Sequence, residues 1–169
     1  MKHISKLIAL AFVAVGFSTQ VNAQATASAS ASATIVSPIS ITKTVDLNFG
    51  NVAASASAGT VVISPAGVRS TTGGVSLPAT AGTVAAASFN VAGEANYTYA
   101  ITLPASVTIS SGANNMTVNA FTSTPTATGT LSALGAQTVT VGATLNVGAS
   151  QAAGVYTSGT PFDVTVNYN

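Results

Sequence analysis

Side-chain chemistry has few places to happen in this chain. The 169 residues include no Cys and no Trp, one His, four Lys or Arg and three Asp or Glu. The His, His3, and two of the cations, Lys2 and Lys6, stand in the first six residues. Beyond them remain only Lys43, Arg69, Asp46, Glu94 and Asp163. With no His or Cys past residue 3, Ser-His-Asp and Cys-His catalysis and ordinary zinc ligation lack their base or ligand set. Ser and Thr are abundant, but a hydroxyl nucleophile needs an adjacent base. Lys43 is the one lysine left for a Ser-Lys arrangement, and it reads better as a solvated residue at a strand end. Three carboxylates are enough for a glycosidase pair, yet nothing in the sequence brings two together, and Glu94 falls in a turn signal. Asp46 with Asn48 comes nearest to a cation site but lacks the Asp/Asn run of a calcium loop. The expectation is a protein that is not an enzyme, with no catalytic residue, metal, cofactor or small-molecule substrate.

Three short motifs resemble functional signals and fail on inspection. Leu77-Pro78-Ala79-Thr80-Ala81 is close to a sortase signal, but Ala81 stands where glycine is needed and the segment is internal. Asn96-Tyr97-Thr98 and Asn115-Met116-Thr117 fit the N-glycosylation pattern, which means little in a bacterial export setting. Thr138-Val139-Thr140 has the threonine spacing of an ice-binding solenoid, without the fixed repeat a solenoid requires.

The N-terminus has a different logic. Residues 1–6 carry two lysines and a histidine, residues 7–17 are apolar apart from small residues, and Val21-Asn22-Ala23 ends a polar stretch with small residues. A basic start, an apolar run and a small-residue site make a secretory signal peptide, read here as residues 1–23. The apolar run falls well short of the ~20 residues that span a bilayer. Export machinery is then a partner through this segment, and the expected location is the periplasm, cell surface or extracellular space. Cleavage leaves two bases against three acids, so no basic patch survives to bind nucleic acid or an anionic membrane. Without cysteine there is no disulfide staple. The fold must rest on its core, and about 146 residues are enough for one domain. A hydrophobic content of 47% with little net charge favours a packed domain over disorder.

The elements that would make that core show a period of two. Val139, Val141, Ala143, Leu145 and Val147 fall on one face of residues 138–147, and Thr138, Thr140, Gly142, Thr144 and Asn146 on the other. This is the pattern of a half-buried strand. Phe162, Val164, Val166 and Tyr168 form a candidate C-terminal core strand, alternating with Asp163, Thr165 and Asn167. Ala87, Phe89 and Val91 alternate likewise, as do Tyr97, Tyr99, Ile101 and Leu103. Shorter candidates are residues 39–42, 46–49, 60–64, 107–109 and 116–121. Gly73-Gly74, Gly93 to Asn96, Leu103-Pro104, Gly112 to Asn114 and Ser158 to Pro161 supply turn signals between them. Short strands at such spacing predict an all-β fold, an immunoglobulin-like antiparallel β-sandwich of about seven to nine strands over residues 37–169. Tyr156, in Ala153-Gly154-Val155-Tyr156 before the last strand, is a candidate tyrosine corner or an ordinary core-edge tyrosine.

Residues 24–36 stand apart. Ala25, Ala27, Ala29, Ala31 and Ala33 alternate with Ser and Thr, and Ile35 follows. As a strand this segment alternates perfectly but offers little apolar area, at about 25 cal/mol per Å². It would hold its place mainly through backbone bonds to an edge. Two readings stand: a flexible linker, or a strand that adds to an edge of its own domain or of another subunit.

Several stretches also look familiar. Residues 33–44, Asp46-Leu47-Asn48-Phe49-Gly50, Ser64 to Arg69, Gly93 to Tyr97, Ala153 to Tyr156 and Val164 to Tyr168 together resemble bacterial secreted proteins of the domain of unknown function 4402 family. The ending, with alternating Phe162, Val164, Val166 and a penultimate Tyr168, is similar to chaperone–usher pilins and spore-coat-like secreted domains. In such pilins an incomplete sandwich is completed by the N-terminal strand of the next subunit. That likeness implies residues 25–36 as a donor strand and partners that are further copies or related surface subunits. The expected function is a non-catalytic secreted structural or cell-surface protein assembling by strand addition. A monomeric secreted binding or adhesion module is the alternative, and a small outer-membrane β-barrel a more distant one.

Overall fold

The computed structural model describes residues 23–169, so the expected signal peptide, apart from Ala23, lies outside the described residues. A compact unit spans Ile35–Asn169. Residues 23–34 are exposed and belong to no strand.

Among the described residues there are ten strands and no helix: β1 (Ser40–Val45), β2 (Ala53–Ile63), β3 (Arg69–Ser76), β4 (Ala87–Ala92), β5 (Thr98–Thr102), β6 (Ser106–Ser111), β7 (Asn114–Thr124), β8 (Thr128–Thr130), β9 (Ala136–Val147) and β10 (Thr165–Tyr168). They form a β-sandwich of a seven-stranded and a three-stranded sheet, and all their pairings are antiparallel.

β9 organises the large sheet. One of its edges pairs with β7, Thr124 opposite Thr140 and Thr117 opposite Asn146. Its other edge is shared: β4 takes residues 136–141 and β2 takes 143–147. The hand-over falls at Gly142. A Cβ there would run into the carbonyl oxygen of Ile63 and the backbone of Ser64 and Pro65, so only glycine lets the end of β2 approach. β1 lies outside β4, β3 outside β2, and β6 outside β7. The small sheet runs β10-β5-β8.

The expected apolar face of β9 is buried throughout: Val139, Val141, Ala143, Leu145 and Val147. Two cores divide it. The first packs Val139 and Val141 with Ala87, Phe89 and Val91 of β4 against Tyr99, Ile101, Val164, Val166 and Leu131 from the small-sheet side. The second packs Ala143, Leu145 and Val147 with Val61, Ile63, Val75 and Val118, and is covered by Phe49, Leu47, Val52, Leu77 and Val84 from connecting segments. The small sheet therefore spans only the first half of the large one. Each fully buried side chain of this kind contributes about 1.5–3 kcal/mol.

Several expectations need correction. Residues 46–49 form only a single bridge, Asn48 with Ala85, because the chain there bends through Gly50 at φ +68°. Gly73-Gly74 is not a turn but lies within β3, opposite a register slip between Ala54 and Gly59 of β2. The turn is Ser64 to Val68, closed by Ser64 and Val68 backbone and by Gly67 at φ +78°. β3 and the three-residue β8 went unread, since Ser, Thr and Gly make up most of both. They bring the count to ten rather than seven to nine. β10 begins at Thr165, so Phe162 and Val164 precede the strand, although Val164 is still buried and Phe162 half-buried. Tyr97 does not share the core with Tyr99: it is 45% exposed.

Tyr99 is fully buried, and its hydroxyl donates to Gln137 Oε1 at 2.7 Å. Burial pushes its phenol above the ordinary value near 10. The unfolded chain therefore ionises first, and stability is lost as pH rises past about 10. Denaturant titrations across pH 8–11 are expected to show that loss, and Tyr99→Phe is expected to flatten it. In the same assay at neutral pH, Gly142→Ala is expected to cost about 1–3 kcal/mol by overpacking.

Candidate functional site: an apolar groove and a terminal clasp

Where the small sheet stops, the second core is left partly open. A groove of about 940 Å³ lies over the second half of β9. Its floor is Leu145 and Val147 of β9, Met116 and Val118 of β7, and Val107 and Ile109 of β6. One wall is residues 45–54 and the other residues 151–158, with Phe89 and Phe162 also lining it. Phe162 stacks at a tilt on Phe121, ring centroids 4.9 Å apart.

Arg69 holds the first wall. Its Nη1 donates to the carbonyls of Phe49, at 2.7 Å, and Asn51, at 2.9 Å. Asn51 N–H adds a bond to Ala81 O, and Asn51 Nδ2 one to Thr80 O. Arg69 thus acts as a multi-donor brace on backbone carbonyls. Sequence reasoning passed over it; its signal was being the one arginine in a nearly chargeless chain.

The second wall is a strap. Among the described residues, the backbone bonds of residues 151–164 join Thr157 to Ser110 of β6, in both directions. Side chains do the rest. Tyr156 donates its hydroxyl to Ala152 O four residues upstream, at 2.7 Å, and accepts from Gln151 Nε2 at 2.8 Å. Gln151 Nε2 also reaches Asn115 O, and its Oε1 accepts from Gly148 N–H. Tyr156 is half-buried and ties the strap back on itself, as a tyrosine corner ties a chain reversal to upstream backbone.

At the opposite end of β9, Ser37 meets the last strand. Tyr168 Oη accepts from Glu94 N–H at 2.6 Å and donates to Ser37 O at 2.8 Å. Ser37 N–H donates to Glu94 Oε2 at 2.9 Å. Tyr97 meets the Tyr168 ring edge-on, centroids 5.6 Å apart. This clasp fixes the point at which the N-terminal extension leaves the domain. Neither the Glu94 turn signal nor the C-terminal pattern showed that these two regions meet.

The remaining residues singled out in the sequence are placed as follows. Ala25, Ala27, Ala29, Ala31 and Ala33 are exposed and in no strand, so in this structure they do not form a first strand of the domain. Ile35 is 96% exposed. Val164 and Val166 join the first core, and Tyr168 packs at its edge. Lys43 forms an exposed ion pair with Asp46, an arrangement that adds little stability. Among the described residues no group of three His, Cys, Asp or Glu could hold a metal, and no helix is long and apolar enough to cross a membrane.

Removing the Tyr168 hydroxyl leaves Ser37 O and Glu94 N–H without this partner. Tyr168→Phe is expected to cost about 1–2 kcal/mol in denaturant unfolding. Limited proteolysis is also expected to cut near Ser37 faster than in the parent chain.

No curated protein and no solved structure was found to match the chain. A family model does match, over residues 39–168, a span that includes all ten strands. Its description is "Domain of unknown function (DUF4402)", and the chain belongs to that family.

Proposed function

We propose that this protein is a secreted, non-catalytic structural subunit that assembles by strand addition, the groove of one copy receiving residues 24–36 of another. The observation that carries this reading is the groove left where connecting chain, not a second sheet, covers half of the sandwich. An apolar floor of six side chains from three strands lies between two walls that are mostly irregular backbone, and the strap wall makes few backbone bonds within the domain. A strand laid there would gain backbone partners and cover apolar surface at once.

The proposed occupant matches that chemistry. Alternating Ala side chains suit a groove lined by Phe89 and Phe162, and Ile35 and Val36 are the larger apolar side chains in the segment. Alanine contributes little area, so backbone bonds carry most of the affinity. The extension is also badly placed to fill its own groove. It departs at Ser37, beside Glu94 and Tyr168, near the start of β9, whereas the groove lies over the end of β9. A 12-residue strand spans about 40 Å. Thirteen extended residues reach about 43 Å, so most of them would be spent on the way. Donation to a neighbour needs no such detour. It joins unlike ends of successive copies, which is the geometry of an open filament.

The test is light scattering with negative-stain microscopy on the chain purified after export. The parent is expected to form filaments, and deletion of residues 24–36 to leave monomers with unchanged unfolding stability. Ile109→Ser, at a half-buried groove position, is expected to shorten the filaments while the domain stays folded. Monodisperse monomers from the parent chain would overturn strand addition and favour a secreted binding module.

A further inference from the structure

The end of the domain that carries the clasp also carries an apolar knob. Leu134 is 93% exposed, yet it stands on a tightly built turn. Ser132 Oγ accepts from the N–H groups of Leu134 and Ala136, Gly135 N–H donates to Ser132 O, and Gly135 O accepts from Gly93 N–H at 2.9 Å. Asn96 N–H reaches Ser132 O, and Leu131 N–H reaches Tyr97 O, so this turn is bonded to the same Gly93–Tyr97 segment that holds Ser37 through Glu94. The turn thus presents a large apolar side chain to solvent on a fixed backbone. Tyr97, on that Gly93–Tyr97 segment, is also partly exposed.

The opposite end carries a counterpart. Val155 is 81% exposed, on the strap that walls the groove and beside the Tyr156–Gln151 network.

We infer that Leu134 of one copy packs against the strap around Val155 of the copy that receives its N-terminal segment. This rests on the strand-addition reading and names a second contact of that assembly. The argument is one of reach. Ser37 is fixed to Glu94 and Tyr168, and only a few residues separate it from the segment proposed to lie in the neighbour's groove. Insertion therefore draws the clasp end of the donor close to the strap of the acceptor. Leu134 is the most exposed large apolar side chain at that end within the strand-bearing region, and Val155 is the exposed apolar residue on the strap. The occupant is a second copy rather than another partner because the same short tether that seats the strand brings these two surfaces together. The contact fixes the angle between successive copies, where strand insertion alone would leave a hinge at residues 35–37.

The chain has no cysteine, so a designed disulfide reports on this contact alone. The double variant Leu134→Cys with Val155→Cys is exported, allowed to assemble, oxidised mildly, and run on non-reducing gels. The expected result is a ladder of covalent multimers that is lost when residues 24–36 are deleted. A control pair, Leu134→Cys with Val68→Cys, uses another exposed apolar residue and is expected to give at least tenfold less ladder. Filaments without a ladder, or equal laddering in the control pair, would overturn the contact while leaving strand addition standing. Absence of filaments in the parent chain would overturn both.

Discussion

One mismatch of length governs this molecule. β9 presents an apolar stripe of five residues, Val139 to Val147, and the second sheet is long enough to cover only its first part. Apolar surface must be covered by something. Over Val139 and Val141 the cover is a regular layer, β10-β5-β8, centred on buried Tyr99. Over Leu145 and Val147 it is connecting chain, braced by Arg69 on one side and by Tyr156 and Gln151 on the other. The groove is what that substitution leaves open. The Gly142 hand-over serves the same end, because it lets two different strands, β4 and β2, flank the two halves of one central strand.

The arrangement also gives the domain two unlike ends. One gathers Ser37, Glu94, Tyr168 and the Leu134 turn; the other gathers the groove, the strap and Val155. A self-complementary dimer would need one patch to meet itself. Here the two ends differ in chemistry, and the clasp ties the extension's root to the last strand. The clasp is neutral hydrogen bonding plus one carboxylate, not an ion pair, in keeping with a chain that has few charges to use.

Scarcity of charge shapes the outer face too. Where many sheets carry cross-strand ion pairs, this one has hydroxyls and amides: Thr60 with Thr72 at 2.7 Å, Asn146 with Asn119 at 3.0 Å, and Thr138 with Asn90 at 3.3 Å. Such pairs each contribute a few tenths of a kcal/mol up to about 1 kcal/mol. They do so without desolvating a charge, and they leave a surface that does not repel another copy of itself.

Much of the fold was legible in the residues. Alternation with period two is a local property, and β9, β4, β5 and β7 carry it in side chains large enough to see. Where the inward positions are mostly Ser, Thr or Gly, as in β3, whose one buried side chain is Val75, and in β8, the pattern vanishes, and those strands are held largely by their partners. Gly73-Gly74 looked like a turn for the same reason: glycine marks backbone freedom, and only the neighbouring strand shows whether that freedom makes a turn or a bulge. The lack of Cys and of any His past residue 3, the scarcity of acids, and the all-β class were decided by composition and spacing alone. The groove, the Arg69 brace and the Ser37–Glu94–Tyr168 clasp were decided by tertiary structure, because each joins residues far apart in the chain, and no local pattern encodes which distant segments a short second sheet will leave uncovered.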